Sequence, residues 1–140
     1  MSHEQNAIDF SLTHCRTIAV VGLSPKPHRD SYRVSQYMQA QGWRIIPVNP
    51  LATEILGERA YTSLTQAAQH ARIDMVNCFR NAQDIPPIAN EAIAIGAKAL
   101  WLQIGIAHAQ AAAWALDAGL WVVQDRCLMV EHARWVQTHV

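Results

Sequence analysis

The sequence lacks the features that mark several common classes of protein. Its 3 cysteines, Cys15, Cys78 and Cys127, are widely spaced and form no C-x-x-C pair, which argues against a disulfide framework and against a zinc site. No apolar run approaches the length of a membrane span, and residues 1–6 have no signal-peptide character. We therefore expect a cytoplasmic protein without a membrane partner and without a bound metal.

Charge is also scarce and evenly balanced. The chain has 11 Lys and Arg against 11 Asp and Glu, and charged residues make up 16% of the total. This balance offers no broad basic surface for DNA or RNA, so we expect no nucleic-acid partner. With 140 residues, of which 51% are hydrophobic, the chain is long and apolar enough for one globular domain over 1–140.

Apolar segments of strand length alternate with helical patterns along the chain. The predicted strands are 17–21, 43–48, 73–79, 99–103 and 120–123, and the predicted helices include 8–15, 31–41, 108–118 and 129–138. Further helices are predicted after Ser63, a capping residue, and at Pro86-Pro87, which suit a first turn. The alternation predicts an α/β, three-layer Rossmann-like fold: a five-stranded parallel sheet in the order 3-2-1-4-5 with helices on both faces.

Ligands of such a sheet bind beyond the carboxyl ends of the strands, where the strand order reverses. The segment after the first strand has the composition of an anion site there. Gly22 lets the backbone turn sharply, and a helix is predicted to begin at Asp30 or Ser31, with its free N–H groups facing the crevice. The segment also carries three cations, Lys26, Arg29 and Arg33, and two stiffening prolines. We predict that it binds a polyphosphorylated ligand.

The usual nucleotide fingerprints are absent. A G-x-G-x-x-G turn does not follow the first strand, and the second strand ends in Val48-Asn49-Pro50 without the acid that an NAD ribose requires. A Walker motif is also missing from the sequence. An oxidoreductase-type domain with cations on the 2′-phosphate of NADP stays open as an alternative.

Six short motifs resemble one known family. They are G-L-S-x-K-P at 22–27, S-Y-R-V at 31–34, P-V-N-P at 47–50, F-R at 79–80, W-L-Q-x-G-I at 101–106 and D-R-C at 125–127. In this order they resemble the small stand-alone CoA-binding proteins, which are similar to the N-terminal domain of the succinyl-CoA synthetase α subunit. The resemblance spans about 15–134, and it implies coenzyme A or acyl-CoA as the ligand and a Rossmann-like fold.

The resemblance also implies roles for individual residues at the strand ends. Lys26 and Arg33 are expected on phosphates, with Ser24 and the N–H groups of the Gly22-Leu23 turn on the diphosphate. The expected wall of the adenosine site is Val48, Asn49 and Pro50, and Phe79 and Arg80 are expected near the pantetheine or diphosphate. Gln103, Gly105 and Ile106 resemble the segment that contacts the ligand in the synthetase. Many relatives have a lysine where this chain has Leu51, and Arg29 or Arg33 would have to replace that contact.

The sequence shows no catalytic constellation. The synthetase relies on further domains for its chemistry, and we expect the chain alone to act as a carrier, a sensor or the partner of a separate enzyme. Exposed alanine-rich and aromatic helix faces are compatible with a homodimer. Cys127 follows Arg126 at the mouth of the crevice, so two interpretations stay open: a thiol that reacts with the CoA thiol as a redox module, or an incidental cysteine.

Overall fold

The computed structural model describes residues 2–139, which fold into helices around a parallel sheet. The helices are α1 (His3–His14), α2 (Asp30–Ala40), α3 (Leu64–Ala68), α4 (Ile85–Ala94), α5 (Ala109–Asp117) and α6 (Leu128–Thr138). The strands are β1 (Thr17–Val21), β2 (Arg44–Val48), β3 (Glu54–Ile55), β4 (Glu58–Arg59), β5 (Met75–Cys78), β6 (Ala99–Leu102) and β7 (Trp121–Val123). A single 3-10 turn, Ala82–Asp84, precedes α4.

The main sheet confirms the predicted fold class. Its 5 strands run parallel in the order β2-β1-β5-β6-β7. One core layer lies under α1, α2 and α6, and a second lies under α3, α4 and α5, so helices cover both faces. Nearly every residue of these strands is buried, which explains why they appear in the sequence as continuous apolar runs rather than as alternating patterns.

The sheet order needs one correction in the assignment of strands. The strand predicted as third, β5, pairs with β1 and not with β2. The outer side of β2 carries only an isolated parallel bridge between Val48 and Tyr61. The 3-2-1-4-5 pattern is therefore present only when this bridge is counted as its third strand. Both edges of β1 are equally apolar, so the sequence does not encode which neighbour takes which edge.

The helix ends follow the predicted signals closely. The side chain of Ser63 accepts a hydrogen bond from the Gln66 N–H at the start of α3, and prolines occupy the first turn of α4. Helix α1 begins 12 residues before its end at His14, because Ser2 caps it, and so it starts earlier than predicted. The antiparallel hairpin of β3 and β4, which encloses Gly57, was predicted as a loop. Within 2–139, no helix is long and apolar enough to cross a membrane.

Candidate functional site

Backbone hydrogen bonds draw the segments after the strands together at one edge of the sheet. The Gly22 N–H donates to the carbonyl of Val48 at 3.0 Å, and the Phe79 N–H donates to the carbonyl of Val21 at 2.9 Å. The Gln103 N–H donates to the Cys78 carbonyl at 3.3 Å. The ends of β2, β1, β5 and β6 are therefore connected in series. Since β2 and β5 flank β1 on opposite sides, this edge contains the point where the strand order reverses.

The segment between β1 and α2 is folded against the start of the helix. The N–H of Ser24 donates to Oγ of Ser31 at 3.0 Å, and the N–H of Lys26 donates to Oγ of Ser24 at 3.1 Å. These N–H groups are therefore already bonded within the protein. The N–H groups of the first turn of α2, beginning at Asp30, have no intrahelical acceptor, as at any helix start. They are the donors that this segment offers to an anion.

A cavity of about 360 Å³ opens in front of this segment, and we call it the cationic cavity. Its lining residues are Gly22, Ser24, Lys26, Arg29, Asp30, Ser31 and Phe79. Lys26 and Arg29 are exposed, and neither forms an ion pair with any residue of 2–139. Their positive charge adds to the favourable field of the helix N-terminus. The cavity has the character of a phosphate site.

Arg33 lies apart from the other two cations. It forms an ion pair with Asp30, and its Nη1 donates to the carbonyl of His28 at 2.6 Å. Its side chain lines a second cavity instead of the cationic one. Pairing with Asp30 offsets much of its charge, so the geometry places Lys26 and Arg29, rather than Lys26 and Arg33, on one cavity wall.

The second cavity, of about 230 Å³, is the apolar cavity. Its lining residues are Asp30, Arg33, Val34, Phe79, Gln103, Ile104, Ile106, Cys127 and Met129. Asp30 and Phe79 line both cavities, so the two spaces adjoin. Phe79, which is half-buried against the core, forms part of the division between them. An elongated ligand with an anionic end and an apolar end fits this pair of spaces.

Gln103 and Cys127 belong to the start of α6. Gln103 is only 3% exposed, and its Oε1 accepts a hydrogen bond from the Leu128 N–H at 3.2 Å. Cys127 is the residue that precedes the helix, is half-buried and is a free thiol. Both side chains line the apolar cavity, so this helix start provides most of its polar character.

The rim of the apolar cavity is formed by two segments that are bonded to each other. Oδ1 of Asp125 accepts a hydrogen bond from the Gly105 N–H at 2.6 Å, and the Asp125 N–H donates to the Ile106 carbonyl at 3.1 Å. Asp125 has a φ of 57°, a conformation that aspartate tolerates better than most residues. Arg126 pairs with Glu4 of α1, and this hydrogen bond raises the pKa of its guanidinium above the usual range.

Several predicted site residues line neither cavity. Leu23 and Val48 are buried in the core, while Pro50 and Gly105 are exposed. Asn49 holds the loops together: its Nδ2 donates to the Leu23 carbonyl at 2.9 Å, and its Oδ1 accepts from the Leu51 N–H at 2.8 Å. Arg80 pairs with Asp84 at 3.4 Å and lies close to Gly22. The predicted residues that do line a cavity are Gly22, Ser24, Lys26, Arg29, Arg33, Phe79, Gln103, Ile106 and Cys127.

The cavities also contain residues that the sequence did not single out as ligand contacts. These are Asp30, Ser31, Val34, Ile104 and Met129. Asp30, Ser31 and Val34 occupy the first turns of α2, and Met129 occupies the first turn of α6. Their position in the first turns of helices that follow ligand-facing loops is a signal that could have found them. Ile104 is 67% exposed, which is unusual for isoleucine and marks it as part of the rim.

Comparison with known proteins finds a family and close relatives. Residues 16–133 match the model of a family described as the CoA binding domain. The chain is 40% identical over 122 residues to the uncharacterized protein YneT of Bacillus subtilis (strain 168), covering 87% of this chain and 89% of that protein.

Solved structures agree with the fold over nearly the whole chain. A hypothetical protein from Pyrococcus horikoshii OT3 has a TM-score of 0.89 and 35% identity, covering 97% of this chain and 93% of that chain. A protein from Thermus thermophilus has a TM-score of 0.85 and 35% identity, covering 96% and 98%. The described helices and strands therefore belong to an arrangement that recurs in related proteins.

Proposed function

Because the chain belongs to the CoA binding domain family, we propose that it binds coenzyme A or its thioesters across the two adjoining cavities. The observation that carries this proposal is their contact through Asp30 and Phe79. Coenzyme A has a phosphorylated nucleotide at one end and an uncharged pantetheine arm at the other. A cationic space beside an apolar one complements a molecule of that kind.

In this proposal the phosphates occupy the cationic cavity. Lys26 and Arg29 supply two charges without partners in the described chain, and the first turn of α2 supplies backbone N–H donors. The pantetheine arm passes Phe79 and enters the apolar cavity, where its sulfur end approaches Gln103 and Cys127. Asn49 acts indirectly, by holding the ends of β1 and β2 in place.

The proposed role is a carrier or sensor of coenzyme A, or a partner that presents it to a separate enzyme. The cavities contain one thiol, one carboxamide and an Asp–Arg pair, and no nucleophile in them is bonded to a general base within 2–139. This arrangement supports binding and supports no particular reaction.

Calorimetric titration of the purified protein tests the proposal. We expect heat and a rise in melting temperature with coenzyme A, weaker binding with dephospho-coenzyme A, which lacks the 3′-phosphate, and none with NADP. Tight binding of NADP with no response to coenzyme A or acetyl-CoA would overturn the proposal and favour the dinucleotide alternative. Arg72→Ala serves as a control for charge, since this exposed residue precedes β5 at the opposite edge of the sheet.

A further inference from the structure

The side-chain amide of Gln103 has a defined orientation. The Leu128 N–H is a donor, so the atom of Gln103 that faces it at 3.2 Å must be the carbonyl oxygen Oε1. The amide nitrogen Nε2 is therefore turned away from the helix. It has no hydrogen-bond partner within residues 2–139, and it is not among the fully enclosed polar atoms that lack one. Since Gln103 is 3% exposed and lines the apolar cavity, this nitrogen faces that space.

The surroundings make this one donor conspicuous. Most of the wall is apolar, formed by Val34, Phe79, Ile104, Ile106 and Met129. The charged pair of Asp30 and Arg33 is satisfied internally. A buried N–H group without an acceptor is costly, so a ligand that supplies an acceptor at this point gains affinity over one that does not.

The sulfur end of coenzyme A exists in two forms that differ in this respect. A free thiol is a weak acceptor, whereas a thioester has a carbonyl oxygen next to the sulfur. A carbonyl accepts a hydrogen bond from an amide N–H, and an apolar wall accommodates the acyl group attached to it. The lining of the cavity therefore complements a thioester better than the free thiol.

We propose that the chain is selective for acyl-CoA thioesters, with Gln103 as the residue that determines this specificity by donating from Nε2 to the thioester carbonyl. This inference rests on the proposed function and names its ligand class. The helix start at Leu128 positions the amide, and the apolar wall takes the acyl group. No covalent step is involved.

Three ligands separate the contributions of the carbonyl and of the acyl group. They are coenzyme A, acetyl-CoA and S-ethyl-CoA, a thioether of nearly the same size that lacks the carbonyl. Under reducing conditions we expect acetyl-CoA to bind about three- to tenfold more tightly than S-ethyl-CoA, the gain from one hydrogen bond. Equal affinities for these two ligands on the unaltered protein would overturn the proposal without the need for any variant.

The Gln103→Leu variant localises the effect. We expect its affinities for acetyl-CoA and S-ethyl-CoA to agree within about twofold, and its affinity for coenzyme A to stay within about twofold of the original. Gln110→Leu, on the exposed surface of α5, is the matched control and should retain the original preference. An equal loss for all three ligands in Gln103→Leu would assign the donor to the pantetheine arm and contradict the proposal.

A spectroscopic measurement gives a direct readout of the contact. The carbonyl ¹³C resonance of labelled acetyl-CoA should move downfield on binding to the unaltered protein, and this shift should be lost with Gln103→Leu. A bound ligand whose carbonyl resonance stays at its position in water-free, non-bonding surroundings would contradict the proposed hydrogen bond. If neither coenzyme A nor acetyl-CoA produces any heat, the proposed function fails, and that result is distinct from binding without selectivity.

Discussion

The carbonyl oxygen of Phe79 lies 2.6 Å from the point where a Cβ on Gly22 would be placed. This is a backbone atom after β5, and it touches the turn after β1 at the edge where the strand order reverses. Gly22 also has a φ of +87°, which side chains adopt at a cost. A glycine is therefore required here by contact as well as by conformation, and the contact determines how closely the two ligand-facing loops approach.

Substitution of Gly22→Ala should lower stability and disturb ligand binding together. The added methyl group would meet a backbone carbonyl, which cannot move without shifting the start of the loop after β5. Gly57→Ala is the matched control, because Gly57 has a φ of +76° but nothing within 4 Å of its Cβ position. We expect about 1 kcal/mol of destabilisation for Gly57→Ala and roughly 2 kcal/mol more for Gly22→Ala in urea unfolding. Equal losses would show that only the backbone conformation matters.

The cations of the first loop should contribute unequally to the binding of coenzyme A. We expect Lys26→Ala combined with Arg29→Ala to weaken binding by about 2–4 kcal/mol, since both residues line the cationic cavity. Arg33→Ala should have a smaller effect, because Arg33 is already paired with Asp30. Calorimetry on the three proteins measures this. A larger loss for Arg33→Ala than for the double variant would move the phosphates to the apolar cavity.

Protonation of His132 should destabilise the fold. His132 is buried, its Nδ1 lies 3.0 Å from the Tyr37 hydroxyl, and burial, followed by the charge of Arg16, lowers its pKa below the usual range. The folded state therefore takes up this proton less readily than the unfolded state. The stabilising contribution is complete above the unfolded pKa of about 6.5 and is lost as the pH falls from there through the folded pKa.

Urea unfolding between pH 8 and pH 4.5 measures this dependence. One proton limits the slope to about 1.4 kcal/mol per pH unit. His132→Gln should remove that part of the slope while keeping a polar side chain between α2 and α6. A variant whose pH profile runs parallel to that of the original protein would exclude His132 as the titrating group.

The three thiols should differ sharply in reactivity. Burial, with a smaller contribution from Asp74, raises the pKa of Cys15 to about 12, and burial raises the pKa of Cys78 to about 12. Cys127 is half-buried at the apolar cavity. We expect iodoacetamide at pH 8 to label the native protein once, at Cys127, and the unfolded protein at all 3 cysteines. Intact mass measures the count, and bound coenzyme A should slow the single labelling step.

A native mass spectrum with two or more labels would show that the core opens on the timescale of the reaction. Cys127→Ser should leave the native protein unlabelled. Labelling of that variant at its original rate would place the reactive thiol in the core and contradict the burial of Cys15 and Cys78.

The elements of this fold could be predicted because their signals are local. The strand 17–21 is a run of β-branched and small apolar residues that is buried on both faces, and its bounds match the structure. Ser63 and the prolines at the start of α4 act within one helical turn of their own position. The partner of each strand is a property of the whole sheet, which is why the place of β5 beside β1 was assigned incorrectly.

The candidate site divides in the same way. The cationic loop is one continuous segment, so Lys26 and Arg29 could be identified as neighbours of a turn and a helix start. The separation of Arg33 from that pair depends on where its side chain lies relative to Asp30, one turn of helix away. The apolar cavity combines α2, β6 and α6, and residues so far apart in the chain carry no shared local pattern.

The sequence by itself determined that a buried parallel sheet with helices on both faces would present a cationic turn at its ligand-binding edge, because hydrophobic runs, caps and charges act through neighbouring residues. Only the tertiary structure decided that β1 is flanked by β2 and β5, that Gly22 touches the backbone of Phe79, and that the nitrogen of Gln103 faces an apolar space. These relationships arise from close packing between distant segments, and packing is resolved only when the whole chain is in place.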